Sequence, residues 1–178
     1  MGTIPTIPTF TAGAVLTAAQ LNNMKAVSDF WALTPRCSAY PAAAQSVTTN
    51  AWLSIALTAE AYDIVQSGDA ASHDNATNNS RIYARTTGKY EVTGQVAFVS
   101  DATGFRMARV LQNGSTVLIE SHQSAVSGVS TSVPIPPVEF ALTAGDYIEM
   151  QGYQTTGGAL DTLQGVRNTF LRMKLTGS

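Results

Sequence analysis

From Tyr90 to Val99 the chain alternates without a break. Tyr90, Val92, Gly94, Val96 and Phe98 fall on one face, and Glu91, Thr93, Gln95, Ala97 and Val99 on the other. One face is apolar or glycine and the other mixed, the signature of a strand with a core on one side and a second environment on the other. Gly94 leaves the inward face without a side chain, which predicts a bulge, a twist or a closely packed neighbour. A lone strand of this kind is not stable, so the sequence must supply partners for it.

It does so in short pieces. Residues 46–49 and 53–58 read as strands, the latter with Leu53, Ile55 and Leu57 on one face. Further strands are expected over 81–85, 105–111, 116–120, 138–142, 147–151 and 169–175. Asn113-Gly114 is the strongest hairpin signal in the chain, because both residues accept the positive φ of a type I′ turn. Turns are also expected at 101–104 and 143–146. Residues 67–80, 126–131 and 155–160 read as loops. Pro134, Pro136 and Pro137 cannot serve a central ladder, so their segment belongs at an edge or in a loop-like crossing. Eight to ten strands spaced in this way, with no alternation of strands and helices, indicate a two-sheet sandwich.

The front of the chain follows a different rule. Two prolines three apart, Pro5 and Pro8, favour an extended path. Thr17 and Gln20 then form a capping box, with Leu16 and Leu21 placed for the accompanying staple. Leu21, Met24, Val27 and Trp31 recur at helical spacing until Pro35 forbids continuation. The expected organisation is an extended attachment arm over 1–16, an amphipathic helix over 17–34, a linker over 35–44 and a sandwich over 45–178. A helix of about four turns is marginal alone and needs a surface for its stripe. Leu16, Leu21, Met24, Val27 and Trp31 are therefore the candidate anchoring and assembly residues.

Composition narrows the function. Lys and Arg number 10 and Asp and Glu 12, a net charge of −2, while Ser and Thr together supply 37 residues. Scattered, nearly balanced charge argues against nucleic-acid binding, which depends on neutralising phosphates. No apolar run approaches the length of a membrane span. No basic residue precedes Lys25 and the apolar run of a secretory signal is missing, so none is expected. Cys37 is the single cysteine, which excludes an intrachain disulfide and a thiolate metal cluster.

Signals for chemistry are weak. The two histidines, His73 and His122, sit in no metalloprotease motif, and neither a phosphate-binding Gly-rich loop nor a Gly-x-Ser-x-Gly elbow occurs. Asp69, His73 and Asp74 in the 67–80 loop have too few oxygens for calcium and read as loop groups. Asp146 and Glu149 read as turn and surface groups rather than an acid/base pair. Catalytic residues, cofactors and metals are therefore expected to be absent. Asn78, Asn79 and Tyr153 offer amides and an aromatic ring for glycan contact.

The string Gly88-Lys89-Tyr90-x-Val92-x-Gly94-x-Val96-x-Phe98, followed by Arg106, Asn113-Gly114 and Phe140-x-Leu142-x-x-Gly145-Asp146-Tyr147-Ile148, resembles the C1q/TNF-like jelly roll. His73-Asp74 and Asn79-Ser80-Arg81-Ile82 resemble the segment that precedes those strands. The resemblance covers roughly 45–175. It implies an all-β jelly-roll sandwich of ten strands that assembles as a homotrimer, with Tyr90, Val92, Phe98, Tyr147 and Ile148 as core or trimer contacts. The collagen-like stalk of many such proteins is missing, and the closing strand, from Thr169 to Leu175, departs from the usual pattern.

Phe10-Thr11-Ala12-Gly13-x-x-Leu16-Thr17-Ala18-x-x-Leu21-Asn22 resembles the opening of tailed-bacteriophage structural proteins, especially minor tail or fibre components. That resemblance implies a non-enzymatic virion protein made in the host cytoplasm. Its partners would be copies of itself, other virion proteins reached through the arm, and a host surface glycan. The alternatives are a capsid decoration or head-fibre protein, or a carbohydrate-binding module.

Overall fold

In a computed structural model describing residues 2–178, the capping box forms as the sequence dictates. Gln20 N–H donates to Thr17 Oγ1 at 3.2 Å, and Thr17 N–H donates to Gln20 Oε1 at 2.9 Å. Helix α1 (Ala18–Ala32) follows and ends where Thr34 Oγ1 donates to the Trp31 carbonyl, one residue before Pro35.

Twelve strands come after it: β1 (Arg36–Tyr40), β2 (Ser46–Val47), β3 (Leu53–Ser54), β4 (Ala59–Ile64), β5 (Arg81–Tyr83), β6 (Gly88–Phe98), β7 (Phe105–Gln112), β8 (Thr116–Ser124), β9 (Thr131–Leu142), β10 (Tyr147–Gln154), β11 (Leu160–Asp161) and β12 (Phe170–Gly177). One sheet has the order β4-β1-β12-β6-β9. The other has the order β3-β10-β7-β8, with β5 also paired to β10. The short β2–β11 pair closes one end. This is a two-sheet jelly-roll sandwich preceded by an arm and one helix.

The linker expected over 35–44 is corrected by this structure, because Arg36–Tyr40 is a central strand paired to both β12 and β4. Cys37, Ser38 and Ala39 are all buried. A strand covered on both faces loses the alternation that would reveal it. β4 was likewise not anticipated. The strand expected over 53–58 pairs as a ladder only at Leu53–Ser54, yet Ile55 and Leu57 stay buried and donate to the carbonyls of Met150 and Asn79. β9 lies at the sheet edge, and Pro134, Pro136 and Pro137 all face outward, as their missing donors require.

Tyr90, Val92, Phe98 and Ile148 are core residues of the protomer, each no more than 1% exposed. They pack with Val96, Met150 and Leu171 between the sheets. Burying each such side chain contributes about 1.5–3 kcal/mol, so this layer is the main source of stability. Tyr90 keeps its hydroxyl satisfied by donating to the Thr86 carbonyl at 2.6 Å. Tyr147 differs from these four: it is only partly buried, on the outer face of β10.

The sandwich has two distinct poles. At one, residues 2–4 line a shallow cleft together with Thr87, Ala144 and Ser178, and the 143–146 turn joins the Asn113-Gly114 hairpin turn. Both turn residues have positive φ, at 52° and 72°. Asp146 ties this hairpin to the 143–146 turn, accepting from Asn113 Nδ2 at 2.8 Å, Thr143 N–H at 2.8 Å and Gln112 Nε2 at 3.0 Å. The Asn113 amide, helped by the other two donors, holds the Asp146 carboxyl below the usual carboxylate range. A depressed folded-state pKa stabilises above the unfolded value of about 3.9 and loses its effect as pH falls through the folded value. Asp146→Asn should therefore be less stable than the parent at pH 7, with the gap closing in urea titrations repeated below about pH 4.

The opposite pole carries the 101–104 and 155–158 loops. Ala125 and Thr155 bond across it to Gly104 and Phe105. The 11 residues of β6 separate the poles by roughly 35 Å.

Candidate functional site

Two surfaces stand out, one on the front of the chain and one on the second sheet. At the front, Gly2 N–H donates to the Arg85 carbonyl and forms a parallel bridge with Thr86, while Ile4 packs on the edge of the core. Beyond this point the arm covers little. Ile7 and Phe10 are exposed, and a cleft of about 440 Å³ opens between the arm, α1 and the 66–69 segment.

Helix α1 is held at its C-terminal end. Phe30 is buried, and Gln66 Nε2 donates to the Leu33 carbonyl at 2.7 Å. The rest of its apolar stripe is only about half covered within the protomer. Leu16 is 51% exposed, Leu21 50%, Met24 46% and Trp31 42%, with Val27 partly buried between them. Leaving this much apolar surface in water on one helix forgoes several kcal/mol of burial.

The second surface is the outer face of the β3-β10-β7-β8 sheet, at the pole away from residues 2–4. Tyr153 on β10 lies between Trp52, with ring centroids 5.1 Å apart, and Phe105, 6.1 Å away and near-parallel at 26°. The Arg109 guanidinium sits 4.0 Å over the Trp52 ring. Its Nε donates to Gln151 Oε1 at 2.8 Å, and Gln151 Nε2 donates to Ser54 Oγ at 3.0 Å. Tyr153 Oη donates to Asn50 Oδ1 at 3.3 Å. Register explains the convergence, since β10 pairs Gln151 with Arg109 on one side and Ser54 on the other.

Of the three proposed glycan contacts, the structure places Tyr153 on this shelf and the other two elsewhere. Asn78 and Asn79 precede β5, which pairs with the Tyr147 end of β10. That is roughly 13 Å or more along the strand from Tyr153. Their backbone carbonyls serve Arg81 and Leu57. Trp52 and Phe105 were missed by sequence reading. Their same-face parity with Tyr153 becomes visible only once the strand order is known.

The groups weighed for chemistry have structural duties. His73 is buried, with Nδ1 2.8 Å from the Arg81 carbonyl and Nε2 2.8 Å from the Leu57 carbonyl. Both ring nitrogens face backbone carbonyls, and among the described residues no group of three or more His, Cys, Asp or Glu side chains could hold a metal ion. Asp74 Oδ1 instead accepts from the Ala76 and Thr77 amides, and the Thr77 bond first and then that of Ala76 lowers its pKa. Burial, with the Asp63 and Glu60 carboxylates adding to it, pushes the Cys37 thiol far above its ordinary value, so it stays protonated and inert. Glu149 is not a surface group: it is buried, with Arg81 3.8 Å away.

No family model matches the sequence, and no curated protein matches it either. Solved structures do. A TNF, Eiger, from S. frugiperda superposes with a TM-score of 0.59 at 16% identity, covering 81% of this chain and 94% of that one. Murine APRIL at pH 5.0 gives 0.61 at 17% identity, covering 80% and 99%. The globular domain of a zebrafish complement 1qA protein gives 0.53 at 9% identity, covering 81% and 99%. The chain therefore has the C1q/TNF-like jelly-roll fold.

Proposed function

We propose that the protein is a non-enzymatic structural subunit of a bacteriophage virion, a jelly-roll head held to a larger body by its front end. The observation that carries this reading is the half-exposed stripe of Leu16, Leu21, Met24 and Trp31, beside an arm whose Ile7 and Phe10 are also exposed. The resemblance of residues 10–22 to tailed-phage structural proteins supports the virion setting. The fold supports assembly as a homotrimer, and the anchored trimer is best suited to the tail, as a fibre or adhesin-like component built into particles in the host cytoplasm. Docking the stripe on another virion protein would bury apolar surface that the protomer leaves wet.

The double variant Leu21→Asp, Met24→Asp tests this directly. Both side chains are about half exposed, so the variant should fold and keep the trimeric mass of the parent in light scattering. Particles assembled with it should lack the protein. Density lost from the tail or from the capsid shell in electron micrographs would then separate a tail component from a capsid decoration or head fibre. Incorporation at the parental level would overturn the anchoring role.

A further inference from the structure

We infer that the shelf formed by Trp52, Phe105 and Tyr153, with Arg109 at its edge, is a binding site for a saccharide bearing a carboxylate. Tyr153 and Phe105 stand on the paired strands β10 and β7, and Trp52 immediately precedes the β3 residue paired with Gly152, so the platform is largely preorganised. Phe105 is 41% exposed, while Trp52 and Tyr153 are partly buried and braced by their mutual contacts. A pyranose has an apolar C–H face that lies flat on such rings and a rim of hydroxyls in its own plane.

The polar groups around the shelf fit that rim. Asn50 and Gln151 have amides already oriented by hydrogen bonds to Tyr153, Arg109 and Ser54. An apolar protein partner would meet these amides as a desolvation cost, whereas a polyhydroxyl ligand meets them as partners.

Arg109 selects the charge. Its Nε is tied to Gln151, and no ion pair engages it among the described residues, although Glu120 lies opposite on β8. The guanidinium is thus fixed in direction over Trp52 with its outer edge turned away from the Gln151 bond. That edge can take a carboxylate in a charge-assisted, two-point contact. Elsewhere on this face Arg81, over Tyr147, has Glu149 beside it, and Arg85, over Tyr83, donates to the Ala71 carbonyl.

The inference is independent of the anchoring role, since it uses none of the residues that hold the front of the chain. The full-length protein should be titrated with a glucuronic-acid-containing disaccharide and with its neutral glucose counterpart at equal ionic strength. Tryptophan fluorescence and saturation-transfer NMR would serve as readouts. The acidic probe should bind about tenfold more tightly than the neutral one, the worth of one exposed charge-assisted contact. Arg109→Gln should bring that ratio to about one, read as acidic against neutral affinity of the same variant, and Trp52→Phe should remove the fluorescence response. Tyr153→Ala should abolish binding of both probes. Phe105→Ala provides the same test at a more exposed ring should Tyr153→Ala fail to fold. Absence of binding by either probe at millimolar concentration would overturn the assignment, as would an acidic-to-neutral ratio unchanged in Arg109→Gln. Dissociation of the native oligomer by Phe105→Ala would also overturn it, making this face an interface between copies.

Discussion

Gly94→Val should lose at least about 3 kcal/mol of stability, a large share of the roughly 5–15 kcal/mol that holds a domain together. A Cβ at this position would lie 2.8 Å from the Phe170 carbonyl oxygen on β12, with Met150 Sδ at 3.2 Å and Leu171 Cδ1 at 3.5 Å. The first of these is backbone inside a paired strand and cannot swing aside. The register of β6 against β9 also shifts between Val92 and Gly94, so the ladder is already irregular here. Gly152→Ala is the informative comparison. Its Cβ would meet only side-chain atoms of Phe98, Val96 and Ile55, at 3.3 Å or more, and those can adjust. Thermal scans should show Gly94→Val melting at least about 6 °C below the parent and Gly152→Ala much closer to it. Equal losses in the two variants would mean that Gly94 is not held by contact with β12.

The second large effect is expected at Arg106. Its side chain is fully buried at the far pole, where the guanidinium donates to the carbonyls of Thr103 at 2.9 Å and of Asp101 and Phe105 at 3.2 Å. Asp101 Oδ1 lies 3.7 Å away, and the Phe98 ring is 6.0 Å below. This one side chain closes the 101–104 loop from within. Burial pulls its pKa below the ordinary arginine value, and the Asp101 charge works against that pull. Arg106→Ala removes the donors, strands the Asp101 and Thr103 carbonyls and leaves a cavity, a combination that should cost about 3–5 kcal/mol in urea unfolding. Arg106→Met fills the space without donating and should recover part of the loss. Arg106→Lys should not restore it, because a single ammonium cannot reproduce the planar fork that reaches three carbonyls. A loss under about 1 kcal/mol in Arg106→Ala would show that the loop closes without it.

Much of this architecture is legible in the chain because its local signals agree with its fold. The alternation through β6, the Asn113-Gly114 turn, the Thr17–Gln20 capping box and the edge position of the three prolines each follow from period, φ or a missing donor. β1 was hidden because small residues buried on both faces have no period to read. The burial of His73 was hidden because a polar loop rich in Ser, Asn and Asp gives no sign that it folds beneath its neighbours. The shelf was half visible. Tyr153 could be named from its type, but Trp52, Phe105 and Arg109 reach it through the order β3-β10-β7, a long-range pairing that local sequence does not encode.

Residues 2–4, the start of β1 and the end of β12 lie at one pole, and the aromatic shelf lies at the other. A pull between a tethered front end and something gripped at the shelf would thus run nearly along the strands. Ladder hydrogen bonds stand perpendicular to that direction. They would share the load in shear, many at once, instead of being peeled open one after another, which makes the sandwich mechanically stiff along that axis.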